Sequence, residues 1–201
     1  MTTANAARGS AGGIVCRPAR PEDAGAIEAL DGSFTTATVF EVTAGEDGSG
    51  FLLREVPVDP PVYRPFPPEE HDEQGLAPAA GPGPGADTRT FVALDGGRIR
   101  GYAAVGYAAW NRRLTIEDIE VDPGHRRRGI GRALVECAAD FGRERGAEHL
   151  WLEVSSVNAP AVHAYRAMGF AFCGLDTSLY GAAASAASAG EGALFMSRSC
   201  R

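Results

Sequence analysis

A strand-like run, an arginine-rich turn with two glycines and an amphipathic helical pattern follow one another between Thr115 and Phe141. Residues 115–121 are rich in β-branched side chains, which favour a strand. After the turn, apolar side chains recur at helical spacing at Ile130, Ala133, Leu134, Cys137, Ala138 and Phe141. The first turn of such a helix presents N–H groups and the positive end of the helix dipole, which together favour an anion. We therefore predict a pyrophosphate-binding turn between these two elements.

The glycines at 129 and 131 leave the backbone of this turn open to close approach by phosphates. A dinucleotide-binding fingerprint would need a third glycine where Leu134 stands, and a phosphate-binding P-loop would need a lysine, which the turn lacks. A solvated arginine turn or a small nucleic-acid patch remains open on this segment alone. The cations of the turn are Arg126, Arg127, Arg128 and Arg132.

A second motif downstream distinguishes among these interpretations. Asn158, Ala161, Tyr165, Gly169 and Phe170 follow a strand-like run at 150–154. The two motifs, in this order and at this spacing, resemble the GNAT superfamily of acyl-CoA-dependent N-acetyltransferases. The resemblance implies an α/β fold with a mixed, largely antiparallel central sheet flanked by helices, and acetyl-CoA as the co-substrate without a metal.

Over residues 17–196 the chain also resembles one particular group of enzymes within this superfamily. Six further segments are similar to the streptothricin (nourseothricin) N-acetyltransferases of antibiotic producers: residues 30–36, 53–61, 109–115, 117–121, 149–154 and 173–177. The resemblance implies that the chain acetylates a β-lysine amine of streptothricin-type antibiotics and so confers resistance. Two alternatives are kept: a GNAT enzyme for a protein α-amine, a polyamine or lysine, and a non-catalytic acyl-CoA-binding sensor.

The resemblance assigns the coenzyme contacts to three places. The pyrophosphate turn comprises Arg126, Arg127, Arg128, Gly129, Ile130, Gly131, Arg132 and Ala133. The pantetheine would pair with the backbone of Ile119, Glu120 and Val121, as an added strand does. Asn158 is expected to cap a helix, to contact the coenzyme, or both. Tyr165 is expected near the thioester, where it would protonate the departing thiolate.

An acceptor amine must lose a proton, because a free alkylammonium has a pKa near ~10. The base is left open among Glu117, Asp118 and Glu120, which lie on the strand that should run beside the thioester. Alternation sends Glu117 to one face of the strand and the other two carboxylates to the opposite face. A bulge in this strand, which the resemblance implies, would change that parity.

The substrate candidates are acidic, aromatic and hydroxyl side chains in the segments that carry the finer resemblance. Acidic and aromatic groups suit a β-lysine chain and a guanidine-like ring through ion pairs and cation–π contacts. Each could equally cap a helix or fill the core. The candidates are Asp31, Ser33, Phe34, Glu55, Asp59 and Trp110.

Composition limits which partners and which cellular location we expect for the protein. The formal net charge of −7 argues against nucleic acid as the main partner and suits a small cationic amine. No apolar run reaches the ~20 residues of a membrane span, and residues 1–13 do not resemble a signal peptide, so we expect a cytoplasmic protein without a membrane partner. The four scattered cysteines, Cys16, Cys137, Cys173 and Cys200, are expected to be buried reduced thiols. A homodimer is left open.

The chain is expected to form a disordered start at 1–13 and a single domain at 14–201, with a flexible low-complexity loop at 71–88. A first strand at 14–17 and a helix at about 21–30 precede a segment without helical period. That segment holds a strand at 51–56 and an extended proline-rich stretch. A three-strand antiparallel meander at 90–121 leads into the turn. A strand around Leu152, a helix at 159–168 and strands at 170–174 and 194–197 complete the pattern.

Overall fold

The computed structural model describes residues 8–9, 13–46, 49–65, 87–180 and 191–200. These residues form strands and three α-helices. In chain order the elements are β1 (Arg8–Gly9), β2 (Val15–Pro18), a 3-10 turn (Pro21–Asp23), α1 (Ala24–Glu28), β3 (Phe34–Ala44), β4 (Phe51–Arg64), β5 (Asp87–Asp95), β6 (Arg98–Ala108), β7 (Arg113–Val121), a second 3-10 turn (Pro123–His125), α2 (Ile130–Glu144), β8 (His149–Ser155), α3 (Ala159–Ala167), β9 (Ala171–Asp176) and β10 (Ala193–Ser199).

The chain divides into two compact units, each assembled from separate segments. The first unit comprises Met1–Gly32, Ala80–Trp151 and Ser199–Arg201, and the second comprises Ser33–Ala79 and Leu152–Arg198. Strand β8 begins in the first unit and ends in the second. The single domain predicted for 14–201 stays a prediction.

The first unit is an antiparallel sheet covered by α2. Its strands lie in the order β1-β2-β5-β6-β7, and each pairs antiparallel with its neighbour. Strands β5, β6 and β7 form the predicted meander. The apolar face of α2 packs on this sheet, because the side chains at helical spacing all lie on one side of the helix. The largest fully buried side chains of this core are Phe91, Phe141, Leu114, Ile130, Leu134, Leu150, Val92, Val105 and Val135.

Gly101 in β6 lets the start of α2 lie directly on the sheet. A Cβ atom at this position would stand 2.6 Å from the carbonyl oxygen of Glu120, 3.1 Å from Cγ2 of Ile130 and 3.3 Å from Cδ1 of Leu134. The first of these contacts is with backbone, which cannot rotate away. Glycine therefore fixes the distance between the strand β7 and the first turn of α2.

We expect Gly101→Ala to destabilise the protein by about 1–3 kcal/mol, because the added methyl overpacks a site closed by backbone. Urea unfolding followed by circular dichroism measures this as a lower midpoint. Gly25→Ala in α1 is the matched control, since a Cβ there meets nothing within 4 Å. Alanine in place of glycine within a helix should be neutral or stabilising. Equal unfolding midpoints for Gly101→Ala and the wild type would show that the backbone of the sheet can shift to accommodate the added methyl group.

The second unit contains a long hairpin, a short helix and a group of three strands. Strands β3 and β4 pair antiparallel along their length, from Phe34 opposite Arg64 to Ala44 opposite Phe51. Strand β10 lies between β8 and β9 and pairs antiparallel with β9. The hairpin is tied to the rest of this unit where the N–H of Phe40 donates to the carbonyl of Ser156 at 2.8 Å. Its buried apolar side chains include Phe40, Leu152, Val154, Val162, Phe170, Leu194 and Met196.

The structure differs from the sequence analysis at four places, although the proline-rich stretch is extended as predicted. The segment after Asp31 contains β3, which the sequence analysis did not identify, and β4 continues through the proline-rich stretch to Arg64. The loop placed at 71–88 ends earlier, because Asp87 and Thr88 belong to β5; the rest of that loop lies outside the described residues. In the segment 1–13, residues Arg8 and Gly9 pair with β2.

The cysteines form no disulfide within the described ranges. Cys16, Cys137 and Cys200 are buried thiols, as predicted, whereas Cys173 is exposed. The prediction of burial is wrong for Cys173 because the side chains of β9 from 171 to 174 are all exposed. Among the helices described, none is long and apolar enough to cross a membrane.

Candidate active site

The predicted pyrophosphate turn lies where β7 passes into α2 in the first unit. After Val121, the carboxylate of Asp122 accepts a hydrogen bond from the N–H of Gly124 at 2.9 Å and caps the short 3-10 turn. The chain then reverses through two left-handed residues, Arg127 with φ 62° and Gly129 with φ 92°. The helix α2 begins at Ile130, and its first hydrogen bond runs from the N–H of Ala133 to the carbonyl of Gly129 at 2.9 Å. The N–H groups of the first turn therefore point out of the helix end.

Gly129 is required by the backbone of this turn, because its φ of 92° lies in the region that side chains with a Cβ rarely adopt. Gly131 is different: it is helical, and a Cβ there would lie 3.8 Å from Cγ2 of Val121, an ordinary contact. The turn thus combines a reversal that needs glycine with an open helix end. That combination fits the phosphate groups of a coenzyme.

Arg126 holds the turn from the inside. Its Nε donates to the carbonyl of Val121 at 2.9 Å, and one terminal nitrogen donates to the carbonyl of Gly32 at 3.1 Å. Burial lowers the pKa of this guanidinium, and the carboxylate of Asp31 opposes that effect. Arg126 is thus half-buried, whereas Arg127, Arg128 and Arg132 are exposed. The exposed arginines supply the cationic rim of the turn.

A β-bulge in β7 decides the direction of the three candidate carboxylates. Ala104 of β6 lies opposite Asp118, and the next residue, Val105, lies opposite Ile116. Glu117 is therefore the extra residue of the bulge and has no opposite partner in β6. The bulge implied by the resemblance is present, and it changes the parity expected from simple alternation.

The carboxylate of Glu117 lies in a half-buried position without a polar partner. Its Oε1 atom is buried and has no hydrogen-bond partner among the described residues. Burial raises the pKa of this group above its ordinary value. A carboxylate in this state has a high affinity for a proton and keeps its hydrogen-bonding capacity for another molecule.

Asp118 and Glu120 are already engaged by one phenol. The hydroxyl of Tyr102 donates to Oδ2 of Asp118 and lies 3.1 Å from Oε1 of Glu120. Burial raises the pKa of both carboxylates; repulsion from Asp118 also acts on Glu120, whose pKa reaches about 7. Glu120 is only 8% exposed, and its charge acts on Arg126. These two carboxylates therefore form a closed polar cluster beside the pyrophosphate turn.

Glu117 lines an open groove of about 580 Å³ in the first unit. The groove lies between the end of β2, the first 3-10 turn, the start of β5 and the middle of β6. The lining residues are Ala19, Arg20, Pro21, Thr88, Arg89, Thr90, Ala104, Val105 and Glu117. Apart from Glu117, the sequence analysis identified none of them, because segments far apart in sequence form the groove.

The second unit carries the other predicted coenzyme residues. Asn158 caps α3: its side-chain oxygen accepts a hydrogen bond from the N–H of Ala161 at 3.2 Å. The capping role predicted for Asn158 is confirmed. Tyr165 lies one turn further along the helix, half-buried, with its ring edge-to-face against Phe170 at 5.8 Å. Its predicted role toward a thiolate stays a prediction.

The six substrate candidates divide between the units. Asp31 is exposed and close enough to Glu120 to contribute to its raised pKa. Trp110, also in the first unit, is 87% exposed at the tip of the β6–β7 hairpin. The remaining four belong to the second unit: buried Ser33, half-buried Phe34, and exposed Glu55 and Asp59.

Glu55 makes two polar contacts inside the second unit. Its Oε1 accepts a hydrogen bond from Oγ1 of Thr38 at 2.7 Å and lies 2.9 Å from Nε2 of His163. These two contacts lower the pKa of Glu55, the hydroxyl of Thr38 having the larger effect. His163 of α3 is thereby held against β4, and its ring also lies 5.9 Å from that of Phe40.

Known proteins resemble the chain over most of its length. The model of the acetyltransferase (GNAT) family matches residues 55–170. The streptothricin acetyltransferase of Streptomyces lavendulae is 62% identical over 186 residues, which are 92% of this chain and 94% of that protein. The crystal structure of nourseothricin acetyltransferase has a TM-score of 0.79 at 56% identity and covers 94% of this chain and 99% of that one.

A third similarity concerns the fold alone. A protein of Bacillus anthracis str. Ames, provisionally named a streptothricin acetyltransferase and solved in complex with acetyl coenzyme A, is 20% identical with a TM-score of 0.71. The alignment covers 92% of this chain and 99% of that one. The family match and the 62% identity extend over more than half of the sequence. The chain therefore belongs to the acetyltransferase (GNAT) family and has its α/β fold, with a mixed, largely antiparallel sheet.

Proposed function

We propose that this protein transfers an acetyl group from acetyl-CoA to an amine of a streptothricin-type antibiotic. The observation that carries the proposal is the 62% identity to a streptothricin acetyltransferase over 92% of the chain. The reacting group is proposed to be a β-lysine amine. Acetylation converts an ammonium into a neutral amide and removes a positive charge from the antibiotic. A cell that contains the enzyme in its cytoplasm is therefore expected to resist the antibiotic.

The pyrophosphate turn fits the coenzyme by its geometry. The reversal at Gly129 and the outward N–H groups of the first turn of α2 are suited to phosphate oxygens, and Arg127, Arg128 and Arg132 add exposed positive charge. Bound acetyl-CoA supplies a thioester whose carbonyl an amine can attack. The backbone of residues 119–121 is proposed to hold the pantetheine arm.

Glu117 is the carboxylate we propose as general base. It is the only one of the three candidates that lines the groove, and its buried oxygen has no partner in the described parts of the chain. An amine in the groove can therefore give its proton to Glu117. The raised pKa makes this carboxylate a stronger base than an exposed glutamate.

The cluster of Tyr102, Asp118 and Glu120 is proposed to support the coenzyme turn. Glu120 precedes Val121, whose carbonyl accepts from Arg126, and its charge acts on the same guanidinium. Glu117 lies farther from the turn than Glu120 does. Its distance from Val121 along the extended strand is about 13 Å, which places it toward the middle of β7. Tyr165 is proposed to give a proton to the departing sulfur, as the family resemblance implies.

We expect Gly131→Asp to raise the dissociation constant for acetyl-CoA at least tenfold. The helix has room for the side chain, but its carboxylate would oppose the phosphates at the helix end. Isothermal titration calorimetry measures the constant. Gly131→Ala is the control for size, and it should bind nearly as well as the wild type. Tight binding by Gly131→Asp would mean that the phosphates lie elsewhere.

The proposed function is tested by thiol release from acetyl-CoA, with nourseothricin as the acceptor and spermidine, lysine and a peptide with a free α-amine as competitors. We expect kcat/KM for nourseothricin to exceed the others by at least a hundredfold. Higher values for one of the competitors would transfer the proposal to that amine. Absence of thiol release with every amine would favour an acyl-CoA-binding sensor.

A further inference from the structure

The groove beside Glu117 presents hydroxyl groups that the protein itself does not use. Thr88 and Thr90 are two residues apart on β5, and their side chains point to the same face because strand side chains alternate. Within the ranges that the structure describes, neither hydroxyl has a hydrogen-bond partner. The buried oxygen of Glu117, which has no partner among the described residues, adds a third polar group for a ligand. Two arginines also line the groove and are engaged by the protein: Arg20 lies 3.8 Å from Glu22, and the guanidinium of Arg89 lies over the ring of Phe141.

The strand register fixes how these groups are arranged. Thr90 lies opposite Ala104 in β6, and Ala104 lies opposite Asp118, which follows Glu117 in β7. Two strand spacings of about 4.8 Å therefore separate Thr90 from the level of Glu117, giving roughly 10 Å across the groove. The floor between them is the small side chain of Ala104. The volume of about 580 Å³ is within the usual range for a small-molecule site.

We infer that this groove binds the portion of the acceptor that adjoins the reacting amine, with Thr88 and Thr90 as specificity-determining residues. The inference rests on the proposed function, because it takes Glu117 as the group that receives the proton. The ligand class that fits is an extended amine that carries a hydroxyl, amide or second amine roughly 10 Å from the reacting nitrogen. A short alkylamine would reach Glu117 but not the two hydroxyls.

The inference predicts a change in KM without a change in kcat. A hydrogen bond made equally in the ground state and the transition state contributes to binding only. Valine has nearly the shape of threonine and favours a strand, which preserves the fold of β5. We expect Thr90→Val to raise the KM for nourseothricin about three- to tenfold, and Thr88→Val with Thr90→Val to raise it further. The dissociation constant for acetyl-CoA should not change.

The control is Thr43→Val, the same substitution at an exposed position of β3. Thermal melting of each variant verifies the fold. A KM for nourseothricin that is unchanged in the folded double variant would overturn the inference while leaving the proposed function intact. If the enzyme instead prefers another extended amine and the double variant raises the KM for that amine, the groove is supported and the antibiotic assignment fails.

Discussion

Replacing Glu117 with glutamine is expected to lower kcat/KM for the acceptor by about 10²- to 10⁴-fold at neutral pH. The amide keeps the size of the side chain but cannot accept the proton of the amine. In the wild type, kcat/KM should rise with pH as Glu117 ionises, above the ordinary glutamate range because burial raises its pKa. The variant should lose the part of this rise that belongs to Glu117 and keep only the rise due to ionisation of the amine itself. Stopped-flow or steady-state thiol release between pH 5 and 9 measures both effects.

Glu120→Gln and Asp118→Asn are the matched controls for this prediction. Each removes a carboxylate from the neighbouring cluster around Tyr102; Glu120 lies three residues and Asp118 one residue from Glu117 along the same strand. If Glu117 is the base, these variants should keep the low-pH limb of the wild-type profile. A different result would assign the role of base to Glu120, whose pKa is about 7. In that case the Glu120→Gln variant would lose the rise of kcat/KM at low pH, and the Glu117→Gln variant would keep its activity.

Tyr165→Phe is expected to reduce kcat by about 10²-fold or more with little change in either KM. The hydroxyl is proposed to supply a proton as charge develops on the sulfur, and only the transition state needs it. The ring stays in the variant, so its edge-to-face contact with Phe170 should remain. Single-turnover kinetics isolates this chemical step from product release.

Tyr107→Phe removes a phenol hydroxyl from β6 and serves as the control for Tyr165→Phe. We expect it to retain the kcat of the wild type. A more acidic thiol leaves without help from a proton donor, and an acetyl thioester of such a thiol should therefore restore part of the lost rate in Tyr165→Phe. Equal loss with both thioesters would place Tyr165 in a structural role.

The elements with strong periodic patterns were predicted from sequence, and the hairpin of the second unit was not. Helix α2 buries one regular face, so its apolar side chains recur at helical spacing. The meander strands are instead recognisable as short apolar runs, since β5 buries three consecutive residues, Phe91, Val92 and Ala93. Strand β3 alternates weakly, because most of its side chains are exposed or half-buried. Its stability comes from pairing with β4, a contact that a local pattern does not reveal. The prolines of β4 are tolerated because both strands of a two-stranded sheet are edge strands.

The site was predictable where its residues are contiguous. The turn from Arg126 to Ala133 is one segment, and its glycines and arginines indicated an anion-binding helix end. The groove was not predictable, since Ala19, Thr90 and Glu117 approach one another only through strand pairing. The resemblance implied a bulge in β7, but only the register assigned the extra residue to Glu117.

The bulge also divides β7 into two halves that can evolve separately. Downstream of it, Asp118–Val121 keep their register with β6 and lead into the proposed coenzyme turn; upstream, Arg113–Ile116 keep theirs, and Glu117 at the bulge itself lines the proposed acceptor groove. A register error introduced in one half can be absorbed at the bulge instead of propagating along the ladder. If the proposed roles hold, substitutions around Thr88 and Thr90 would change acceptor preference without altering the register of the segment that leads into the proposed coenzyme turn. A scaffold divided in this way is suited to diversification toward new amines.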